Sequence, residues 1–185
     1  MKVNDAIDII RNKLTSNRFE HTMRVYEEAV KIAKIFNGPI QQVELAAILH
    51  DYSKNDSEDD LRQAIINDDL PENLLHFNKE LWHGPVAAIK VREKFNIKDN
   101  AIIDAIYYHT SARANMGMVE KIIYVADYIE PQRNFPGLDE VRELATTDLD
   151  KAVFHTLRNT IIYLMKKNEK IYPDSFYAYN YYISV

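Results

Sequence analysis

An imidazole and a carboxylate stand side by side at His50-Asp51, and further groups able to bind a metal or move a proton follow the chain at His21, His83, His109 and Asp127. An adjacent His-Asp pair can hold one divalent ion from a single helix end. The other separations are too long for one local loop, so each extra ligand must come from a different helix. Imidazole together with carboxylate suits iron, manganese or zinc, whereas calcium and magnesium prefer oxygen alone. Sites of this kind do chemistry on phosphate or on water.

The elements that must carry these groups read as helices. Asn17 with Glu20 three residues later forms a capping-box pattern, and the helix after it buries His21, Val25, Ala29, Ile32 and Phe36 at steps of three or four before Gly38-Pro39 ends it. The next carries Val43, Ala46, Ala47 and His50 on one face and stops near Asp51-Tyr52-Ser53. A shorter helix spans 58–67, with Asp56, Ser57, Glu58 and Asp59 at its positive end. Gly84-Pro85 opens another, with His83 just outside it. Helix 99–110 sets Ile102, Ile106 and His109 on one stripe, and helix 118–130 does the same for Val119, Ile123 and Asp127 before Pro131. Residues 148–168 form a long amphipathic helix. No alternating strand pattern is present, so the fold class is all-α, a single helical bundle over residues 1–185.

Four of the polar groups, His21, His50, His109 and Asp127, thus fall on apolar stripes. A lone histidine there is more often a hydrogen-bonded core residue than a ligand. An unpaired carboxylate within Ile-Ile-Tyr-Val-Ala-Asp127 costs several kcal/mol, however, and needs a cation. A metal satisfies the whole set in one place. His76 and His155 lie outside this pattern and read as structural or exposed. The acidic run Asp56-Ser-Glu-Asp-Asp60 lacks the turn glycine of a calcium loop, because Leu61 stands there, and reads as a solvated helix start.

Bulk composition narrows the classes. The 185 residues are 46% hydrophobic, enough for a well-buried domain, and carry no linker-like tract. Four dispersed glycines and no GK[ST] exclude dinucleotide-fold and P-loop readings. Zero cysteines remove disulfides, thiolate metal sites and cysteine nucleophiles, and fit a cytoplasmic setting. No signal-peptide core or membrane span is evident. The net charge of −5 without a basic block argues against a nucleic-acid polymer as partner, while a small phosphorylated ligand needs only a local basic pocket.

With these residues in view, the chain resembles the HD-domain metal phosphohydrolases, whose pattern is His, then His-Asp, then a late Asp. Arg18-Phe-Glu-His21, Leu45-Ala-Ala-Ile-Leu-His-Asp-Tyr-Ser-Lys54, Trp82-His-Gly-Pro85, Tyr107-Tyr-His-Thr110, Lys121-Ile-Ile-Tyr-Val-Ala-Asp-Tyr-Ile-Glu-Pro-Gln-Arg133 and Ile171-Tyr-Pro-Asp174 are similar to segments of one bacterial branch. That branch is the symmetrical bis(5′-nucleosyl)-tetraphosphatases, which split diadenosine tetraphosphate into two ADP. The similarity covers roughly residues 10–180. The Gly-Tyr-Pro signature of cyclic-dinucleotide phosphodiesterases is missing.

The resemblance implies that His21, His50, Asp51 and Asp127 hold iron, as one or two ions, with manganese or another divalent transition metal as substitute. His83 and His109 either complete a second metal site with Asp51 bridging or bind phosphate oxygens directly. Two ions sharing a carboxylate sit about 3.5–4 Å apart. Asp51, His83, His109 and Asp127 are the expected catalytic groups, acting on a water that attacks a β-phosphorus. Arg18, Ser53, Lys54, His83, His109, Asp127, Arg133 and Tyr172 are the expected substrate contacts, the arginines through bidentate geometry and Tyr172 through stacking. A homodimer stays open, with the aromatic C-terminal segment as one surface for it. The competing readings are an HD phosphohydrolase of mononucleotides and a non-catalytic nucleotide-binding module with a structural metal.

Overall fold

The computed structural model of the chain describes residues 1–68 and 70–185, and among them the only regular secondary structure is helical. Ten α-helices follow in order: α1 Val3–Lys13, α2 Ser16–Ile35, α3 Ile40–Leu49, α4 Glu58–Asn67, α5 His83–Phe95, α6 Asn100–Tyr108, α7 Met118–Ile129, α8 Leu138–Leu144, α9 Leu149–Lys166 and α10 Pro173–Tyr182. Two short 3-10 turns, Glu72–His76 and Lys79–Leu81, bridge α4 and α5.

The periodic stripes account for α2, α3, α6, α7 and α9, while the acidic start at 56–59 and Gly84-Pro85 account for α4 and α5. Ser57, Asp99 and Asp148 start α4, α6 and α9 by accepting hydrogen bonds from free amides of the first turn. The capping-box expectation at Asn17 is corrected: α2 begins at Ser16 with Thr15 before it, and Asn17 lies inside the helix. His83 is likewise the first residue of α5 rather than one just outside it. Three helices escaped the periodic reading: α1, the seven-residue α8, and α10, whose many tyrosines blur an apolar stripe.

The core explains the arrangement. Ile48, Leu49, Ile106, Ile122 and Ile123 are fully buried, and each such side chain stabilises the fold by about 1.5–3 kcal/mol. To bury these stripes, α2 packs on α3 and α7, and α6 packs on α3, α5 and α7. Five helices are thereby joined, α2, α3, α6 and α7 around the core and α5 through α6, and the ends or middles of all five carry one of the chemistry-bearing groups. A smaller cluster of Leu61, Ile65, Leu74, Trp82, Val86 and Tyr172 lies beside the main core. No helix among the described residues is long and apolar enough to cross a membrane.

Candidate metal centre

Asp51 lies at the middle of the convergence and is 2% exposed. It follows the C-terminus of α3, where the chain turns and aims its carboxylate inward. One oxygen, Oδ2, faces His50 Nε2 at 3.2 Å, His21 Nε2 at 3.6 Å and Arg18 Nη1 at 2.8 Å. The other, Oδ1, faces His83 Nε2 at 3.1 Å and His109 Nε2 at 3.8 Å. Asp127 from α7 joins the first group, with Oδ1 at 3.0 Å from His21 Nε2. His83 and His109 approach each other at 3.1 Å between Nε2 atoms. Two sets of potential ligands, His21-His50-Asp51 and Asp51-His83-His109, thus share one carboxylate.

The ring orientations follow from the helix ends. His50 and His109 each follow the last residue of a helix, and Nδ1–H donates to the carbonyl three residues back, Ala47 O and Ile106 O, both at 2.7 Å. In the neutral ring that leaves Nε2 unprotonated and turned toward Asp51. The Nε2 atoms of His50 and His21 are buried with no hydrogen-bond partner. Bare imidazole nitrogens beside carboxylate oxygens repel unless a proton or a cation stands between them, so these residues fit a divalent ion.

Electrostatics point the same way. Burial pushes Asp51 up, but the imidazoles of His50 and His83 outweigh it and hold the carboxyl well below its usual range. Asp127 is lowered too, where His21, His50 and Arg133 overcome burial. Burial, with His50 and His83 nearby, brings His109 down to about 3, so it is neutral at physiological pH. Ionised carboxylates with a neutral imidazole are the forms that ligate metals.

A cleft of about 400 Å³ opens from this cluster, lined by Thr15, Asn17, Arg18, His21, Lys54, Asn55, Glu130 and Arg133. Arg133 Nη2 lies 3.2 Å from Asp127 Oδ1, and Arg18 leans on Asp51, so both guanidiniums stand beside the carboxylates. Lys54 reaches the cleft wall but pairs with Glu80. Ser53 is fully buried and its hydroxyl has no hydrogen-bond partner. Tyr172 is 6% exposed and packs edge-on against Phe77 in the smaller core. Asp127 is less enclosed than its apolar neighbours suggest, with a side chain 23% exposed. His76 is exposed and His155 pairs with Glu140, both outside the centre.

Glu130, held by Arg24, stands behind His21, and neither was singled out in the sequence. Glu130 is 3% exposed, accepts from Arg24 Nε at 2.7 Å and from the Gln132 amide at 3.0 Å, and places Oε1 3.5 Å from His21 Nδ1. The available signal was an acid at the end of an apolar helix, midway between Asp127 and Arg133.

A family model described as HD domain matches residues 18–132, which contain His21, His50-Asp51, His83, His109 and Asp127. A protein of Bacillus subtilis named bis(5′-nucleosyl)-tetraphosphatase, symmetrical, is 45% identical over 100% of this chain and 99% of its own length. The chain belongs to the HD-domain family, in the branch bearing that name. A Staphylococcus aureus protein of the same name is 36% identical to this HD domain over 98% of the chain and 95% of its own. A crystal structure from Clostridium acetobutylicum, described as a predicted HD superfamily hydrolase involved in NAD metabolism, matches with TM-score 0.93 at 33% identity. It covers 100% of this chain and 98% of that one.

Proposed function

We propose that this HD domain hydrolyses dinucleoside tetraphosphates symmetrically, converting diadenosine tetraphosphate to two ADP, with residues 1–185 acting as one domain in the cytoplasm. The observation that carries the reading is the shared Asp51: two buried ligand sets meet at one carboxylate, at the head of a cleft lined by Arg18, Lys54 and Arg133. The Bacillus and Staphylococcus relatives, which carry the tetraphosphatase name along nearly their whole length, support the substrate class. Three cations along one cleft suit a polyphosphate better than the single phosphate of a mononucleotide. They also weigh against a binding module with a structural metal, which has no use for His83 and His109 beside a complete His-His-Asp-Asp set.

His21, His50, Asp51 and Asp127 would hold the first ion, for which iron is the metal that the family resemblance implies, the mixed imidazole and carboxylate donors suiting iron, manganese or zinc alike. His109 presents a bare Nε2 and with His83 faces the free oxygen of Asp51, so this pair is assigned to a second ion. Such ions supply Lewis acidity and lower the pKa of water toward neutrality. The chain does the rest. Arg18 and Arg133 take phosphoryl oxygens in planar, paired geometry and Lys54 adds a third cation. Asp127, kept ionised beside His21 and Arg133, orients the attacking water in line, and the water's proton passes to solvent. The water oxygen bonds to a β-phosphorus, the bond from that phosphorus to the central bridging oxygen breaks, and ADP leaves.

Chromatography of products after incubation with diadenosine tetraphosphate and iron or manganese tests this. ADP as sole product, lost on chelation, is expected. ATP plus AMP would overturn the attack position, and no turnover by metal-loaded protein would overturn the substrate assignment.

A further inference from the structure

An imidazole that binds a metal through Nε2 must be held in place through Nδ1, usually by a carbonyl or a carboxylate. His50 and His109 obtain that hold from Ala47 O and Ile106 O, because each stands at a helix end. His21 is six residues into α2, where nearby carbonyls already serve the helix ladder. Its Nδ1 instead faces Glu130 Oε1 at 3.5 Å, within reach of a hydrogen bond after a small ring rotation. Glu130 is a fixed point: Oε2 takes the Arg24 guanidinium at 2.7 Å and the Gln132 amide at 3.0 Å. The residue is 3% exposed.

We propose that Glu130 is the positioning residue for His21, accepting a hydrogen bond from Nδ1–H so that Nε2 stays bare toward Asp51 and Asp127 and the centre gains affinity for a divalent ion. The reading rests on the metal assignment above. It also explains why a buried carboxylate belongs at this point, since an acceptor there fixes the orientation and tautomer of the ring. Through Gln132, and with Arg133 Nε 3.9 Å from Oε1, the same carboxylate ties a metal ligand to the phosphate-binding arginine next in sequence. Arg24 is the anchor, one turn along α2 from His21.

Manganese(II) is the probe, its dissociation constant read by competition with a chromophoric chelator, beside the melting temperature of the metal-free protein. Glu130→Gln keeps the shape and one acceptor but loses the charge. It is expected to weaken manganese binding roughly 10–100-fold, to lower metal-free melting through the weakened Arg24 pair, and to let kcat recover in excess manganese. In a His21→Ala background the same substitution is expected to add no further loss, because the ring it acts through is gone. Unchanged affinity in Glu130→Gln would overturn the proposal. So would an equal loss with His21 present or absent, which would make Glu130 a fold contact for Arg24. A wild-type chain that binds no manganese would overturn the metal assignment itself.

Discussion

At the scale of single residues, the candidate centre is a problem of charge kept away from water. Asp51 and Asp127 are ionised among imidazoles and the guanidiniums of Arg18 and Arg133, and a shared cation would stabilise that arrangement further. The two ligand sets have different dependencies, which predicts a count. Asp51→Asn should lose both ions and all activity, whereas His109→Ala should retain one of two, as measured by metal analysis after gel filtration. Equal metal content in wild type and His109→Ala would return His83 and His109 to the role of phosphate donors. Arg133 is 3.2 Å from Asp127 and open to the cleft. Arg133→Ala should raise KM about 10–100-fold, the worth of a charged hydrogen bond, with metal content unchanged.

Between elements, the spacing of α5 and α6 determines whether His83 and His109 meet. A Cβ on Gly84 would lie 2.9 Å from Tyr107 O and 3.3 Å from Ile106 O, against backbone that cannot swing aside. Gly84→Ala should force the helices apart, costing about 1–3 kcal/mol in a denaturant titration, and lowering kcat at saturating metal. A wild-type kcat would show that the approach is not needed. The turn after α3 is held by Asp56, which bonds Lys13 of α1 and Lys90 of α5, the latter at 2.9 Å. Burial pushes Asp56 up, but the two lysines outweigh it and leave its pKa lowered. A carboxylate depressed by folding contributes stability above its unfolded pKa and loses it as pH falls through the folded value. Asp56→Asn should therefore cost about 1 kcal/mol at neutral pH, since both lysines keep access to water. The gap from wild type should close in acid, as followed by melting temperature against pH. At the other end of the cleft, Arg142 of α8 donates to the carbonyls of Ile129, Glu130 and Arg133, fixing the loop that carries the phosphate-facing arginine.

At the scale of the whole molecule, five helices gain a common partner when a metal binds, and none has that site alone. Ligands that bind only the folded state stabilise it by mass action, about 2.7 kcal/mol at a hundred times the dissociation constant. Chelation should therefore lower the melting temperature of the whole chain in one cooperative step, and added manganese should restore it. An unchanged transition would mean that the centre is empty in the purified protein or is not built from these helices.

Helix type was written in local periodicity. Stripes at three and four residues exposed α2, α3, α6, α7 and α9, helix-start signals exposed α4 and α5, and the placement of His21, His50, His109 and Asp127 on the stripes already marked them as inward groups in want of a cation. That much is a property of neighbours along one chain, where burial and spacing are coupled. Short α8 and tyrosine-rich α10 carry no clear stripe, so only packing against α7 and α9 defines them. The pairing of oxygens is also tertiary. Nothing local says that Asp51 shows one oxygen to His21 and His50 and the other to His83 and His109, that Tyr172 packs beside Phe77, or that Glu130 stands behind His21. Those facts arise where helices from distant parts of the chain cross, and distances across a crossing depend on how every stripe is buried at once.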